Sequence, residues 1–367
     1  MIEYIFIGVL LFFLSLLYHR HLITDHNALL FFIIAFLSIF IIGCRYNIGT
    51  DWSNYVDYYY SGIAVDKADG KNEFIFQLIR NIFSYLGFTH AYFFAVLSFF
   101  SLTVLIIASK NFGVRNIYLV FLVYYCLVFC NYQFNIVRHG LLTSCVMLSY
   151  SYKAIDKNKF AFIWALIGCG FHSVGFLFLL LLFIIDSKLK RKYVCLLLGL
   201  SFVFYLLGIG QKIISAIPFL GLIDRLAGYT DLDQRGEDGY GISIGLLFNI
   251  GLFIYLYFFK QKELYWKSSK VRILLNCLLL GIICSLTLNV FGAIVSRISN
   301  LFNTSLIFIW PLLFQELRNR LPKYILGIFF LTYLYLFFQR SIQENPITHT
   351  SDMYPYQMRV EQLVRRL

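Results

Sequence analysis

Long apolar segments recur along the whole chain and are separated by short polar connectors. Apolar segments lie near residues 2–18, 28–44, 91–109, 117–131, 137–151, 160–185, 193–209, 242–259, 271–290, 298–314 and 324–338. Because a helix of roughly 20 apolar residues crosses the hydrocarbon core of a bilayer, the pattern predicts membrane-spanning helices. The predicted fold class is therefore an all-α, polytopic membrane helix bundle, with residues 1–367 forming a single integral membrane domain.

The distribution of lysine and arginine predicts which connectors face the cytoplasm. Lysine and arginine are concentrated in four of them, namely KAIDKNK (153–159), DSKLKRK (186–192), KQKELYWKSSK (260–270) and ELRNRLPK (316–323). Cytoplasmic connectors of membrane proteins are enriched in these residues, so we place all four on the inner side. The remaining long connectors, 45–90 and 210–241, and the C-terminal tail 339–367 then lie on the outer, periplasmic side.

This assignment requires the apolar segment 160–185 to turn back inside the membrane, since the connectors on either side of it both belong inside. Its centre reads GCGFHSVG (168–175), and the glycines there favour a break. We therefore predict a hairpin of two half-helices in this segment. With the hairpin, the bundle has about 11 to 12 transmembrane segments, by the length that one crossing requires.

Composition agrees with this class and excludes others. Hydrophobic residues make up 60% of the chain and charged residues only 14%, unlike a soluble domain. The formal net charge of +12 falls almost entirely on the predicted inner connectors. Orientation in the membrane therefore explains the basic character of the chain, and a nucleic-acid partner is not indicated.

Arginines at the outer ends of the spans are the main functional signal. They are Arg45, Arg138, Arg225 and Arg297. The bias toward inner basic residues should make arginine rare on this face. A charged side chain at membrane depth is energetically costly, so its presence there indicates a function. Guanidinium groups match phosphate oxygens in bidentate geometry, so a pyrophosphate is the expected ligand. Alternatively, each arginine pairs with a nearby acid or extends to lipid headgroups.

Histidine supplies the candidate for proton transfer. His172 lies at the centre of the predicted break, and broken helices at membrane depth are tolerated mainly where they line a cavity. The unperturbed pKa of histidine suits a general base near neutral pH. His139, next to Arg138, is a second candidate, and a structural role for either histidine is the alternative. No nucleotide-binding or metal-binding signature is present in the sequence, so no cofactor and no metal are expected.

Several of these residues form a pattern that resembles the EpsG-type, Wzy-like family of bacterial polysaccharide (O-antigen) polymerases. The pattern comprises Arg-x3-Gly-x-Asp-x3-Tyr (Arg45, Gly49, Asp51, Tyr55), Glu73-Phe74, Arg138 and Phe171-His172-Ser173. The later segments DRLAGY (224–229), RISNLFNTSLIFIWP (297–311) and YPY (354–356) resemble the family as well. One departure is His139, where the family pattern leads us to expect glutamine.

The resemblance implies an enzyme of the bacterial inner membrane whose active site faces the periplasm. Such an enzyme transfers an oligosaccharide repeat from undecaprenyl pyrophosphate to the terminal sugar of another lipid-linked unit, without a metal. Its partners are the lipid-linked oligosaccharide, membrane lipid, a chain-length regulator and a flippase. A GT-C-like glycosyltransferase architecture is compatible with the predicted bundle.

The resemblance also implies roles for individual residues. Catalytic roles fall to His172 as the base, to Arg138 at the leaving group and to Asp51, which orients the base or hydrogen-bonds the sugar. Binding of pyrophosphate or glycan falls to Arg45, Arg225, Arg297, Tyr55, His139 and Glu73.

Three other functions remain open from the sequence. A flippase for lipid-linked oligosaccharides would also need arginines in a membrane cavity, although paired hydropathy repeats are not evident. A membrane O-acyltransferase would use a histidine within reach of a cytoplasmic acyl donor. An O-antigen ligase would share the donor and differ only in the acceptor.

Overall fold

The computed structural model describes residues 2–20, 26–61, 73–209, 242–260, 262–288, 292–316, 320–342 and 356–363. Arg225 and the predicted outer loop 210–241 lie outside the described residues, as does much of the predicted tail. Every regular element in the described ranges is helical, apart from one isolated antiparallel bridge between Arg45 and Met358.

The α-helices are numbered here in chain order. They are α1 (Ile2–His19), α2 (His26–Phe36), α3 (Trp52–Ser61), α4 (Phe74–Tyr85), α5 (His90–Phe112), α6 (Ile117–Tyr124), α7 (Val137–Lys153), α8 (Asn158–Cys169), α9 (Gly175–Leu181), α10 (Arg191–Leu206), α11 (Ile244–Ile254), α12 (Lys262–Lys267), α13 (Ser269–Thr287), α14 (Gly292–Asn303), α15 (Leu306–Glu316) and α16 (Arg320–Ile342). Wider π-helical turns extend α2 over Leu37–Gly43, α6 over Tyr125–Phe129 and Asn131–Asn135, and α11 over Tyr255–Lys260.

The helices agree with a membrane protein. His90–Phe112, Ser269–Thr287 and Arg297–Glu316 are long and apolar enough to cross a membrane, and several shorter apolar helices accompany them in the described ranges. The predicted all-helical membrane fold is thus confirmed in this coarse form. The number of spans and a GT-C-like architecture stay predictions.

The chain divides into two compact units. Unit 1 comprises 1–182 and 307–367, and unit 2 comprises 183–306. In unit 1, α7 is buried along most of its length and packs on both α5 and α8. Small residues allow this close approach: the Ser149 hydroxyl donates to the Ala161 carbonyl across the α7–α8 contact.

The break predicted in the apolar segment 160–185 is present. α8 ends at Cys169, residues 170–174 form a turn, and α9 begins at Gly175 and packs on α8. At about 1.5 Å per residue, neither helix is long enough to cross a bilayer of about 30 Å alone. His172 therefore lies in a helix break, as the glycine pattern predicts.

In unit 2, α13 packs on α10, α11 and α14. The connectors 186–190 and 260–268 meet beside it. The Leu189 amide donates to the Tyr265 hydroxyl, and Arg272 pairs with Asp186. These contacts join two connectors that the charge pattern predicts to share a side of the membrane.

Candidate functional site

An arginine and a glutamate from distant segments pair in unit 1. Arg138 lies in the first turn of α7, and Glu73 immediately precedes α4. The Arg138 Nη1 and Glu73 Oε2 atoms are 2.5 Å apart, and the two side chains are 28% and 10% exposed. The pairing with a nearby acid, which the sequence left as an alternative, is therefore realised at Arg138. Because the side chain keeps part of its surface exposed, pairing leaves it accessible to a ligand.

Tyr55, from α3, stands beside this pair. The Arg138 guanidinium carbon lies 5.9 Å from the centre of the Tyr55 ring, within reach of a cation–π interaction. Burial raises the pKa of Tyr55, with the nearby Arg138 opposing the shift. The hydroxyl is therefore protonated at neutral pH and can donate a hydrogen bond.

Arg45 is held differently. Its side chain is fully buried, its Nη1 donates to the Gln133 carbonyl over 2.9 Å, and its guanidinium carbon lies 5.1 Å and 5.3 Å from the ring centres of Phe94 and Phe134. Its Nε and Nη2 atoms have no hydrogen-bond partner within the part of the chain that is described. Burial lowers the pKa of Arg45 to about 10, so the group still carries its charge at neutral pH. Its predicted contact with pyrophosphate stays a prediction.

The spacing between Arg45, Gly49 and Asp51 has a structural reason. Gly49 has φ +93°, and a Cβ atom there would lie only 2.8 Å from the Phe134 carbonyl oxygen. The next amide, that of Thr50, donates to the Asn135 side chain over 2.9 Å. Loop 45–51 therefore docks on the turn that leads into α7, which brings Asp51 to the same side of unit 1 as Arg138.

The two histidines that the sequence left as competing candidates are in contact. The ring centres of His139 and His172 lie 5.4 Å apart at nearly right angles. His139 is buried at 1% exposure, whereas His172 is half-buried. His172 therefore presents the ring that a substrate can reach, with His139 packed behind it.

The turn around His172 fixes one feature of its chemistry. Its Nδ1 accepts a hydrogen bond from the Val174 amide over 3.2 Å. A neutral imidazole that accepts at Nδ1 carries its proton on Nε2. In this arrangement Nε2 can donate a hydrogen bond. For Nε2 to act as a base, the imidazole must adopt the other tautomer, in which the proton is on Nδ1.

The turn also contacts the helix that carries the Glu73 end of the ion pair. The Ile75 amide donates to the Gly170 carbonyl over 3.1 Å. A Cβ atom at Gly170 would lie 2.5 Å from the Ile75 side chain, so glycine permits this approach. Glu73, Arg138, His139 and His172 are thereby grouped around the start of α7.

A segment near the C-terminus closes the other side of loop 45–51. We call residues 356–363 the C-terminal clamp. The Tyr46 amide donates to the Gln357 carbonyl, and the Arg359 amide donates to the Cys44 carbonyl, both over 2.9 Å. His90 Nε2 lies 3.2 Å from Gln362 Oε1. The sequence placed this tail on the outer side but did not predict the contact, and neither His90 nor Gln362 stood out in the sequence.

The remaining predicted residues are distributed as follows. Arg297 lies in α14 of unit 2 and is half-buried. Arg225 is outside the described residues. Unit 1 contains the other predicted site residues, which are Arg45, Asp51, Tyr55, Glu73, Arg138, His139 and His172. Among them, Glu73 and Tyr55 both contact Arg138, and His139 contacts His172. Among the described side chains, no group of three or more His, Cys, Asp or Glu residues could hold a metal ion.

A comparison with protein families matches residues 28–358 to the EpsG family. The chain belongs to the EpsG family. The match extends from α2 to the first residues of the C-terminal clamp and so includes every site residue that the sequence predicted. The EpsG family is associated with polysaccharide polymerisation, and the resemblance predicted from the motifs is confirmed. Searches of curated proteins and of solved structures returned no match.

The charged and titratable side chains of unit 1 can be compared with the substrate that an EpsG-family protein acts on. A polysaccharide polymerase of this kind acts on a lipid-linked oligosaccharide. Arg138, which is partly exposed, carries a positive charge, and the half-buried His172 in the same unit carries a group capable of proton transfer. The sequence predicted both residues, whereas their contacts with Glu73 and His139 follow only from the fold.

Proposed function

We propose that this EpsG-family chain is a metal-independent glycosyltransferase that polymerises lipid-linked oligosaccharide repeats at the outer face of the bacterial inner membrane. The observation that carries the proposal is the grouping of the Arg138–Glu73 pair with the His139–His172 pair around the start of α7. These residues come from three separate stretches of the chain. Arg138 and His172 lie in segments that the sequence predicts to be within the membrane, where ionisable groups are expected to have a function.

In the proposed reaction, a hydroxyl of the terminal sugar on one lipid-linked unit attacks the anomeric carbon of a second unit. The new glycosidic bond forms as the bond from that carbon to the pyrophosphate oxygen breaks, and undecaprenyl pyrophosphate leaves. The hydroxyl proton passes to the base. Charge therefore develops on the leaving pyrophosphate, and a fixed positive group beside it lowers the barrier.

Arg138 is suited to the leaving group. Its planar guanidinium carries five N–H groups on three nitrogens, and Nη1 is the nitrogen that donates to Glu73. Glu73 holds the guanidinium in place, and Tyr55 adds a neutral hydroxyl at its side. Arg45, Arg225 and Arg297 are proposed to add positive charge, and Asp51 to orient the acceptor.

His172 is proposed as the base for the acceptor hydroxyl. The substrate must then shift the imidazole to the tautomer with a free Nε2 lone pair, and weaken the hydrogen bond from the Val174 amide. His139 supports the ring from behind. A chain-length regulator and a flippase are the expected protein partners of such a polymerase, and the active site faces the periplasm.

The test is the length of surface glycan in cells that lack this gene, separated as a ladder on a gel. Returning the wild-type gene should restore the ladder, whereas Arg138→Ala should leave single repeat units attached to their acceptor. The matched control is Arg115→Ala, since Arg115 is an exposed arginine in another connector. Loss of even the single unit in the deletion strain would instead favour a flippase or ligase, and an intact ladder with altered acylation would favour an acyltransferase.

A further inference from the structure

Helix α4 lies in the predicted outer connector and presents three distinct faces. Its packed face contains Phe76, which is buried against the rings of Tyr55 and Phe93. Its polar face contains Gln77, Asn81 and Ser84. The third face is apolar and exposed.

The exposed apolar face is a continuous stripe. It consists of Phe74, Leu78, Ile82 and Tyr85, which are 65%, 54%, 47% and 91% exposed. At about 100° per residue, these four positions fall within roughly a quarter of the helix circumference. We call this set the α4 stripe. Large apolar side chains exposed together on one face of a helix indicate contact with something apolar.

The length and faces of α4 are those of a helix that lies in the membrane interface. Its 12 residues extend about 18 Å, which is less than the hydrocarbon thickness of about 30 Å. A helix that is polar on one side and apolar on another lies flat, with the apolar side in the acyl region. Arg80 fixes the orientation of α4, because its Nε donates to the Tyr59 carbonyl over 2.9 Å.

The α4 stripe begins at the candidate site. Phe74, its first member, directly follows Glu73, whose carboxylate binds Arg138. The amide of the next residue, Ile75, binds the turn that carries His172. The α4 stripe therefore begins next to the carboxylate that holds Arg138, and this arginine lies near one end of the stripe. An apolar surface that ends near a partly exposed cation matches a ligand with an apolar chain joined to an anionic head.

We propose that the α4 stripe binds the isoprenoid chain of the lipid-linked substrate and leads its pyrophosphate to Arg138. This inference rests on the proposed function, and it adds where the lipid part of the substrate lies. The chain stays in the hydrocarbon edge of the membrane along Phe74, Leu78 and Ile82, while the pyrophosphate and sugars remain at the interface. The donor is thus oriented before its anomeric carbon reaches the acceptor.

The experiment uses the photoreactive residue p-benzoylphenylalanine in the full chain, purified into lipid nanodiscs with radiolabelled undecaprenyl pyrophosphate. We expect the residue at Leu78 to crosslink the labelled lipid at least five-fold more than the same residue at Ser84. Both positions are exposed on α4 but lie on different faces. Excess unlabelled undecaprenyl pyrophosphate should abolish the difference, and Arg138→Ala should reduce it. Equal labelling at the two positions, or adducts with bulk phospholipid alone at Leu78, would overturn the inference.

Glycan ladders from the same variants separate this inference from the proposed function. Leu78→Asp should shorten the ladder and reduce polymer about ten-fold, whereas Ser84→Asp, at an exposed position outside the α4 stripe, should leave it unchanged. Suppose that the ladder is lost in Arg138→Ala but unchanged in Leu78→Asp, and that crosslinking is equal at Leu78 and Ser84. This result would reject isoprenoid binding by the α4 stripe and would leave the proposed polymerase function intact. A ladder that is unchanged after deletion of the gene would reject the proposed polymerase function. Crosslinking at Leu78 that unlabelled undecaprenyl pyrophosphate abolishes would still support an isoprenoid site on α4.

Discussion

Unit 1 and unit 2 each contain an arginine paired with a carboxylate, and the two pairs differ in how completely the arginine is bound. In unit 2, Arg272 binds Asp186 through Nε at 2.7 Å and Nη2 at 2.6 Å, and its Nη1 donates to the Tyr265 carbonyl over 3.3 Å. Every guanidinium nitrogen of Arg272 is thus engaged, and its side chain is 8% exposed. In unit 1, the bond to Glu73 uses Nη1, and the Arg138 side chain is 28% exposed.

The surroundings of the two pairs reinforce the difference. Asn276 donates to the carbonyls of Ile185 and Ser187, and Tyr265 joins the same network. Such a network fixes two connectors and has little capacity left for a ligand. Arg138 instead lies beside a helix break and an aromatic ring. The comparison indicates that a saturated arginine has a structural role, whereas an arginine with exposed surface can bind a substrate.

Substitution of Arg138 should have the largest effect on activity. Arg138→Lys keeps the charge but loses the planar fork, so polymer formation should fall at least 100-fold if bidentate phosphate contact matters. Protein amount in the membrane should stay near wild type. In vitro polymerisation with purified protein measures the rate, and a rate within three-fold of wild type for Arg138→Lys would contradict a bidentate role.

Substitution of Arg272 should lower the stability of the protein and leave its activity unchanged. Arg272→Ala leaves the Asp186 carboxylate without its partner, which costs about 2 kcal/mol; a fully buried pair would cost more, and Asp186 is 25% exposed. Thermal unfolding in detergent measures this loss as a lower melting temperature. Activity per folded molecule should remain near wild type. A stable Arg272→Ala protein that makes no polymer would show that the two arginines do not differ as we infer.

His172 allows a sharper test of its chemical role. The amide nitrogen of glutamine can replace Nε2 as a donor but cannot act as a base, whereas asparagine places its amide near Nδ1. If His172 is the base, both His172→Gln and His172→Asn should reduce the rate about 100-fold or more. If His172 instead donates a hydrogen bond through Nε2, the rate of His172→Gln should stay well above that of His172→Asn. The two variants are compared at saturating acceptor, with His139→Gln as the control for the ring packed behind.

The smallest effect should come from the C-terminal clamp. The Tyr356 hydroxyl donates to the carbonyls of Phe40 and Ile41, so Tyr356→Phe should destabilise unit 1 by about 1 kcal/mol. Val360→Ala, at a 47% exposed position of the same segment, is the matched control and should change the melting temperature little. Equal shifts for both variants would mean that the clamp bonds contribute nothing specific.

The class of fold and several site residues could be predicted from the sequence because they depend on local patterns. Apolar length predicts membrane helices, and the glycines around His172 predict the break. The partners of these residues could not be predicted in the same way. Nothing in the sequence near Arg138 indicates that Glu73 is its partner, since the pairing depends on how α4 docks on the turn after α8.

The outer connector 45–90 shows the same limit of sequence reasoning. The charge pattern predicted an outer connector there without helices, and the described part contains the helices α3 and α4. The pattern of Phe74, Leu78, Ile82 and Tyr85 is amphipathic at helical spacing, so a helix there was detectable. The full burial of Arg45 was not, because it results from Phe94, Phe134 and the C-terminal clamp closing around one side chain.

The C-terminal clamp has a consequence for biogenesis. Tyr356 donates to the carbonyl of Phe40 across a separation of 316 residues, so loop 45–51 is synthesised long before the clamp that packs on it. Domains generally form from the N-terminal side during translation, yet this loop cannot reach its final packing until the ribosome has passed Leu363. An incomplete chain therefore lacks the contacts that hold loop 45–51. Translation thus sets the time at which the candidate site can be assembled, because the support of loop 45–51 is complete only after the C-terminal clamp has been synthesised.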